Sequence, residues 1–143
     1  MKCRLARLAV ALLAAAFAAA PSASDSQAAD VRPSTPKTAA GIEAVNRGDY
    51  KTAFTLFHSQ AAKGDPEAQF ELGMLYALGK GVERDYILAW KWTEIAARQK
   101  EPYAEFIRDE VAANMKGGEI STALKQANDW MRQNARAATQ QQR

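Results

Sequence analysis

Few residues of this chain have side chains suited to nucleophilic or metal chemistry, and their spacing assembles no catalytic set. His58 is the only histidine and Cys3 the only cysteine. Because His58 lies off the apolar stripe of its helix, we expect a solvated surface residue and not a general base. Cys3 lies in an N-terminal segment that we expect to be cleaved off, as described below. A metal site in the remaining chain would have only carboxylates as further ligands beside His58. We therefore predict no enzyme activity, no metal and no cofactor.

Two short motifs have the composition of catalytic or phosphate-binding motifs. Residues 34–37 spell the Ser-x-x-Lys of serine penicillin-binding enzymes, but they lie in a proline-rich segment without the Lys-Thr-Gly partner motif. Residues 79–81, Gly-Lys-Gly, lack the Ser or Thr that ends a phosphate-binding loop. The second motif is better explained as a turn between helices.

The aromatic residues raise the possibility of a binding surface. Trp92 and Trp130 fall on apolar stripes and are predicted to lie in the core, whereas Trp90 lies beside its stripe and is predicted to be partly exposed. Phe54 is its counterpart one repeat earlier, so the two rings are expected to form one ridge along a groove. The candidate partner-binding residues are Phe54, His58, Trp90, Lys91, Glu94 and Arg98.

The elements that must position these residues are predicted to be helices throughout. Apolar residues recur at steps of three and four, as in Ala53, Phe57 and Ala61, and no stretch alternates with a period of two. Gly and Pro separate the stripes, and the pairs Asp65-Pro66 and Glu101-Pro102 predict helix starts. Residues 48–83 align with residues 84–119 without a gap, with 11 of 36 positions identical. This period predicts a repeat of two helices whose units must stack to bury their apolar faces.

A longer set of residues matches a known repeat. These residues are Gly48-Asp49-Tyr50, Ala53, Ala61 to Gln69, Leu72-Gly73, Tyr76, Gly79 to Val82, Asp85-Tyr86, Ala89, Trp92 and Ala96-Ala97. Together they resemble the Sel-one-like repeat, a relative of the tetratricopeptide repeat. In the second unit, Arg108 and Asp109 stand where Leu-Gly would be. The resemblance implies an all-α, right-handed α/α superhelix of about five or six helices that binds a protein or peptide.

The first residues have the layout of a secretory signal peptide. Three cations precede an apolar run from Leu8 to Ala20, and cleavage is expected after Ala20, Ala23 or Ala28. We predict a signal peptide at 1–23, a flexible linker at 24–37, a helical repeat domain at 38–136 and a disordered tail at 137–143. Without residues 1–23, the formal charge of +3 becomes a balance of 16 basic and 16 acidic residues.

These features predict a periplasmic or secreted adaptor that recognises a protein or peptide through a helical groove. A near-neutral mature chain does not favour nucleic-acid binding, and no membrane insertion is expected after cleavage. The alternative function is an envelope hydrolase or a cell-wall or β-lactam-binding protein, because some cysteine-rich relatives of the repeat are linked to penicillin binding. Those relatives carry a disulfide in each repeat, and this chain lacks the cysteines for one.

Overall fold

A computed structural model describes residues 33–141, which form six α-helices and contain no strand. The predicted all-α architecture is therefore confirmed for this part of the chain. None of these helices has the length and apolar character needed to cross a lipid bilayer. The helices are α1 (Pro36–Asn46), α2 (Tyr50–Ala61), α3 (Pro66–Leu78), α4 (Tyr86–Arg98), α5 (Ala104–Ala112) and α6 (Glu119–Gln141).

Aspartate side chains begin three of the helices. The carboxylate of Asp65 accepts hydrogen bonds from the backbone N–H groups of Glu67 and Ala68, and Pro66 occupies the first position of α3. Asp49 and Asp85 cap α2 and α4 in the same way. An N-cap carboxylate satisfies N–H groups that have no partner inside the helix and opposes the positive end of the helix dipole. The predicted start at Asp65-Pro66 is confirmed.

The predicted helix start at Glu101-Pro102 is wrong. Helix α5 begins at Ala104, and its N-cap, Tyr103, has a φ of 63° and makes no side-chain capping bond. Glutamate carries one more methylene than aspartate and is not among the preferred N-cap residues, so the equivalent of Asp65 does not begin the helix here. Lys100 also has a positive φ, of 64°, where the first unit has Gly64. The turn before α5 thus holds two non-glycine residues in the left-handed region.

Small residues allow α3 and α4 to pack closely. A methyl group at Gly73 of α3 would lie 2.7 Å from Cγ2 of Thr93 on α4 and 3.1 Å from the carbonyl oxygen of Ala89. The Gly-Lys-Gly motif at residues 79–81 lies in the turn between these two helices, as predicted. Gly79 ends α3 in the left-handed conformation. A Cβ at Gly81 would lie 2.3 Å from the carbonyl oxygen of Tyr50.

Helix α4 lies at the centre of the array, because it packs against α3, α5 and α6. Buried apolar residues of α1 to α5, with two alanines of α6, form the main apolar cluster, and Ala96, Ala97 and Ala104 form a second, smaller one. A buried amide chain also connects the helices: Gln69 donates to the carbonyl oxygen of Ala61 at 3.2 Å and accepts from Gln99 at 2.6 Å. These bonds satisfy polar groups that would be costly to bury without partners.

The helical part extends past both predicted limits of the domain. Helix α1 starts at Pro36, inside the predicted linker, because Thr35 accepts a hydrogen bond from the backbone N–H of Thr38 and proline fits the first helical position. Helix α6 continues to Gln141, inside the predicted tail. Alanine, glutamine and arginine are good helix formers even without core contacts. The predicted signal peptide, residues 1–23, lies outside the described residues.

Candidate partner-binding surface

Trp90 is buried, contrary to its predicted position. Trp90 is 7% exposed and belongs to the main apolar cluster, so the prediction of a partly exposed anchor is wrong. The reason is the central place of α4, whose faces are covered by three other helices. An indole beside the principal stripe is therefore buried as well. The predicted ridge of Phe54 and Trp90 along an open groove does not form.

Glu94 is also buried, and its carboxylate is held by two guanidinium groups. Arg98 Nε donates to Oε1 at 2.6 Å, and Arg108 Nη1 donates to Oε2 at 2.9 Å. The side chain of Glu94 is 9% exposed. A buried carboxylate needs such charged partners to offset the loss of water. Arg108 is the residue that replaces the expected leucine in the second unit, so this departure supplies a partner for Glu94.

His58 and Phe54 lie together on α2. His58 is exposed, as predicted for a surface histidine. Its ring centroid lies 5.8 Å from that of Phe54, and Phe54 makes an edge-to-face contact with Tyr76 of α3 at 5.5 Å. Phe54 is thus half-buried and helps to join α2 to α3. This pair does not adjoin an open site that includes Trp90.

Lys91 is engaged within the fold. Its Nζ lies 4.4 Å from the centroid of the Trp92 ring, a cation–π geometry. Burial lowers the pKa of Lys91, because it disfavours the charged ammonium. Trp92 in turn makes an edge-to-face contact with Trp130 of α6 at 5.5 Å, and its predicted core position is confirmed.

Exposed apolar side chains concentrate in the last two helices. Tyr103 is 66% exposed and Phe106 is 49% exposed, and both lie at the beginning of α5. Ile120 and Leu124 lie one turn apart on α6 and are also exposed. Tyr103 and Phe106 are three residues apart in sequence, and Ile120 and Leu124 are four apart, so each pair places apolar area on the surface of the kind that interaction sites use. None of these residues was predicted from the sequence to bind a partner, because their apolar character alone does not distinguish them from core residues.

Beside Leu124, a shallow groove of about 680 Å³ runs along α6. We call it the α6 groove, and it is lined by Arg98, Ser121, Leu124, Lys125, Asn128, Asp129, Met131, Arg132 and Ala135. Arg98 is the one predicted binding residue that lines it. Arg98 Nη1 donates to Oδ1 of Asn128 at 2.8 Å and also contacts Sδ of Met131 at 3.5 Å. This arginine therefore joins α4 to α6 at the edge of the groove.

The electrostatic character of the groove comes from three cations and one carboxylate. Asp129 accepts from Lys125 at 3.1 Å and from Arg132 one turn further along. Hydrogen bonds from Arg132 and Lys125 lower the pKa of Asp129, so it stays ionised at neutral pH. Across residues 33–141, no cluster of three or more His, Cys, Asp or Glu side chains is arranged to hold a metal ion.

Comparison with known proteins identifies part of this array. Residues 66–101 match the Sel1 repeat family. Over 64 residues the chain is 41% identical to the chitin synthase regulator SKT5 of Saccharomyces cerevisiae, and this alignment covers 45% of the chain but 9% of the yeast protein. The chain therefore spans a small fraction of that relative. No solved structure matches the chain.

The match indicates where the repeat unit begins and ends. It begins at Pro66 and ends just after α4, so one unit consists of α3 and α4. The match spans 36 residues, the length of the predicted period, but the predicted units began at Gly48 and Arg84, half a repeat away. Sel1 repeats are helical and generally mediate protein–protein interaction without catalysis of their own. Residues 66–101 of this chain are thus similar to a Sel1 repeat.

Proposed function

We propose that this chain is an exported, non-catalytic adaptor of a bacterial cell envelope that binds a protein or peptide. Three observations support the proposal: the Sel1 repeat at residues 66–101, the signal-peptide layout of residues 1–23, and the exposed apolar side chains of α5 and α6. The repeat is the observation that carries it. The yeast relative is named as a regulator of chitin synthase, which agrees with a role exerted through a partner.

The packing of the repeat favours a rigid binding platform. Gly73 allows close contact of α3 and α4, and the amide chain through Gln69 fixes α4 against the end of α2. A rigid surface loses little conformational entropy when it binds. Tyr103, Phe106 and Leu124 then present apolar area that a partner can cover, with polar groups around it.

The test is to isolate the chain, with a C-terminal affinity tag, from the envelope and cytoplasmic fractions of the cells that make it. We expect an envelope protein whose N-terminus, by mass spectrometry, lies between Pro21 and Ala29. We also expect a second protein that co-purifies in a constant ratio and is lost when Phe106 and Leu124 are both changed to Ser. An intact Met1 in the cytoplasmic fraction would exclude export, and purification without any second protein would exclude the adaptor role.

A further inference from the structure

We infer that the α6 groove binds an acidic amphipathic helix of a partner protein. The inference rests on the proposed function and adds to it the place of binding and the chemical class of the bound segment. It depends on the shape of the groove, on the distribution of charge along it and on the way its edge is held.

The groove has an apolar strip with polar groups to one side. Leu124, Met131 and Ala135 are spaced at seven and four residues, so they lie on one face of α6. Lys125 and Arg132, also seven residues apart, lie on the neighbouring face. An amphipathic helix with an apolar stripe and a charged flank has the complementary arrangement.

The positive net charge of the residues that line the α6 groove favours an acidic partner. Arg98, Lys125 and Arg132 contribute three positive charges to the lining, and Asp129 contributes one negative charge. The carboxylate of Glu94, which pairs with Arg98, is shared with Arg108, so an excess of positive charge remains. Arg136 is exposed one turn after Arg132 and extends the cationic side. Carboxylates on the bound helix would meet this excess of positive charge, whereas a basic helix would be repelled.

The cationic edge is held in place before binding. Glu94 and Asn128 both accept from the guanidinium of Arg98, and Asp129 accepts from both Lys125 and Arg132. Cations already oriented lose less side-chain entropy when a carboxylate arrives. The contact of Trp92 with Trp130 also fixes α6 against α4, so the groove has a defined shape.

The length of the groove suits a short helix. Its lining on α6 runs from Ser121 to Ala135, which at 1.5 Å per residue is about 20 Å, or about four turns. A bound helix of that length places apolar residues at i, i+3 or i+4 and i+7 against Leu124 and Met131.

The experiment measures the binding of synthetic peptides to the purified protein by fluorescence anisotropy. The acidic probe is a fluorescein-labelled helical peptide of about 16 residues, with Leu on one face, Glu on the flanks and Ala elsewhere. The basic probe replaces each Glu with Lys. We expect the acidic probe to bind with a Kd of about 1–50 μM, more weakly as salt increases, and the basic probe to bind at least about tenfold more weakly.

Matched variants locate the site. The double variant Lys125→Glu/Arg132→Glu should weaken the acidic probe at least about tenfold, and Leu124→Asp should do the same. The control Lys63→Glu/Arg84→Glu makes the same change in charge at exposed positions outside the groove and should weaken it less than about threefold. Circular dichroism of each variant establishes that it is folded.

The inference would be overturned by equal binding of both probes, by equal effects of the groove and control variants, or by no binding of the acidic probe. A concentration-dependent dimer that the Leu124→Asp change abolishes would assign the groove to a second copy of this chain and would also overturn it. The proposed function is separable. If Lys125→Glu/Arg132→Glu still co-purified with an envelope protein, the adaptor role would stand, but the binding of an acidic helix in the α6 groove would be contradicted.

Discussion

Glu71 of α3 is a half-buried carboxyl whose titration should limit stability at neutral pH. Burial, followed by the nearby carboxylates of Glu67 and Glu101, raises its pKa from 4.5 to about 7. Between these two values the folded chain keeps a proton that the unfolded chain has released. Stability should therefore fall as the pH rises from about 4.5 to about 7 and then level off.

The magnitude follows from the interval between the two pKa values. That interval corresponds to at most about 3.4 kcal/mol of unfolding free energy lost above pH 7. Because Glu71 retains some solvent contact, we expect a loss of about 1–3 kcal/mol. Glu71→Gln keeps the size of the protonated side chain and removes the titration. It should match the parent near pH 4.5 and be more stable by about 1–3 kcal/mol near pH 8.

The assay is urea unfolding followed by circular dichroism, for the parent and Glu71→Gln, at pH 4.5, 6 and 8. Glu105→Gln is the control, because it removes a carboxylate from an exposed position on α5. Its difference from the parent should stay within about 0.5 kcal/mol at each pH. If Glu71→Gln differed from the parent by the same amount at pH 4.5 and 8, or were less stable at pH 8, the reasoning would be refuted.

Three further predictions are checked by the same unfolding assay. Gly73→Ala should lower the free energy of unfolding by about 1–3 kcal/mol, because the added methyl group would contact Thr93. Gly117→Ala is the control and should lower it by less than about 1 kcal/mol, because there is open space around Gly117. Equal losses would contradict the close approach of α3 and α4. Lys100→Gly should stabilise by about 0.5–1 kcal/mol by relieving a positive φ, and a loss of stability would show that the side chain matters more than the backbone. Trp90→Ala should lower the free energy of unfolding by about 3–5 kcal/mol, because it removes a buried indole. An unchanged melting temperature would indicate that Trp90 is exposed.

The fold could be predicted from sequence because its main signals are local. Apolar periodicity marks the helices, Asp65-Pro66 marks a start, and Gly79 and Gly81 mark a turn. The second unit was harder to predict. Glu101-Pro102 has a pattern similar to Asp65-Pro66, but glutamate is not a preferred N-cap residue, and α5 begins at Ala104, which the periodicity does not indicate.

The binding surface could not be predicted because exposure depends on how many helices cover a given helix. The stripe of α4 indicates one buried face, yet α4 is covered by three helices, so Trp90 and Glu94 are buried. The pairing of Glu94 with Arg108 joins residues of two helices, and single-helix periodicity cannot show it. Leu124 remains exposed because no described helix packs on that side of α6.

Photo-crosslinking in living cells tests the central claim, that the chain is a protein-binding module, most directly. A photoreactive amino acid is placed at Leu124 in the α6 groove, and at the exposed Arg84 as a control. We predict an irradiation-dependent adduct with one envelope protein from position 124 and none from position 84. Equal adducts from both positions, or no adduct from position 124, would contradict the claim.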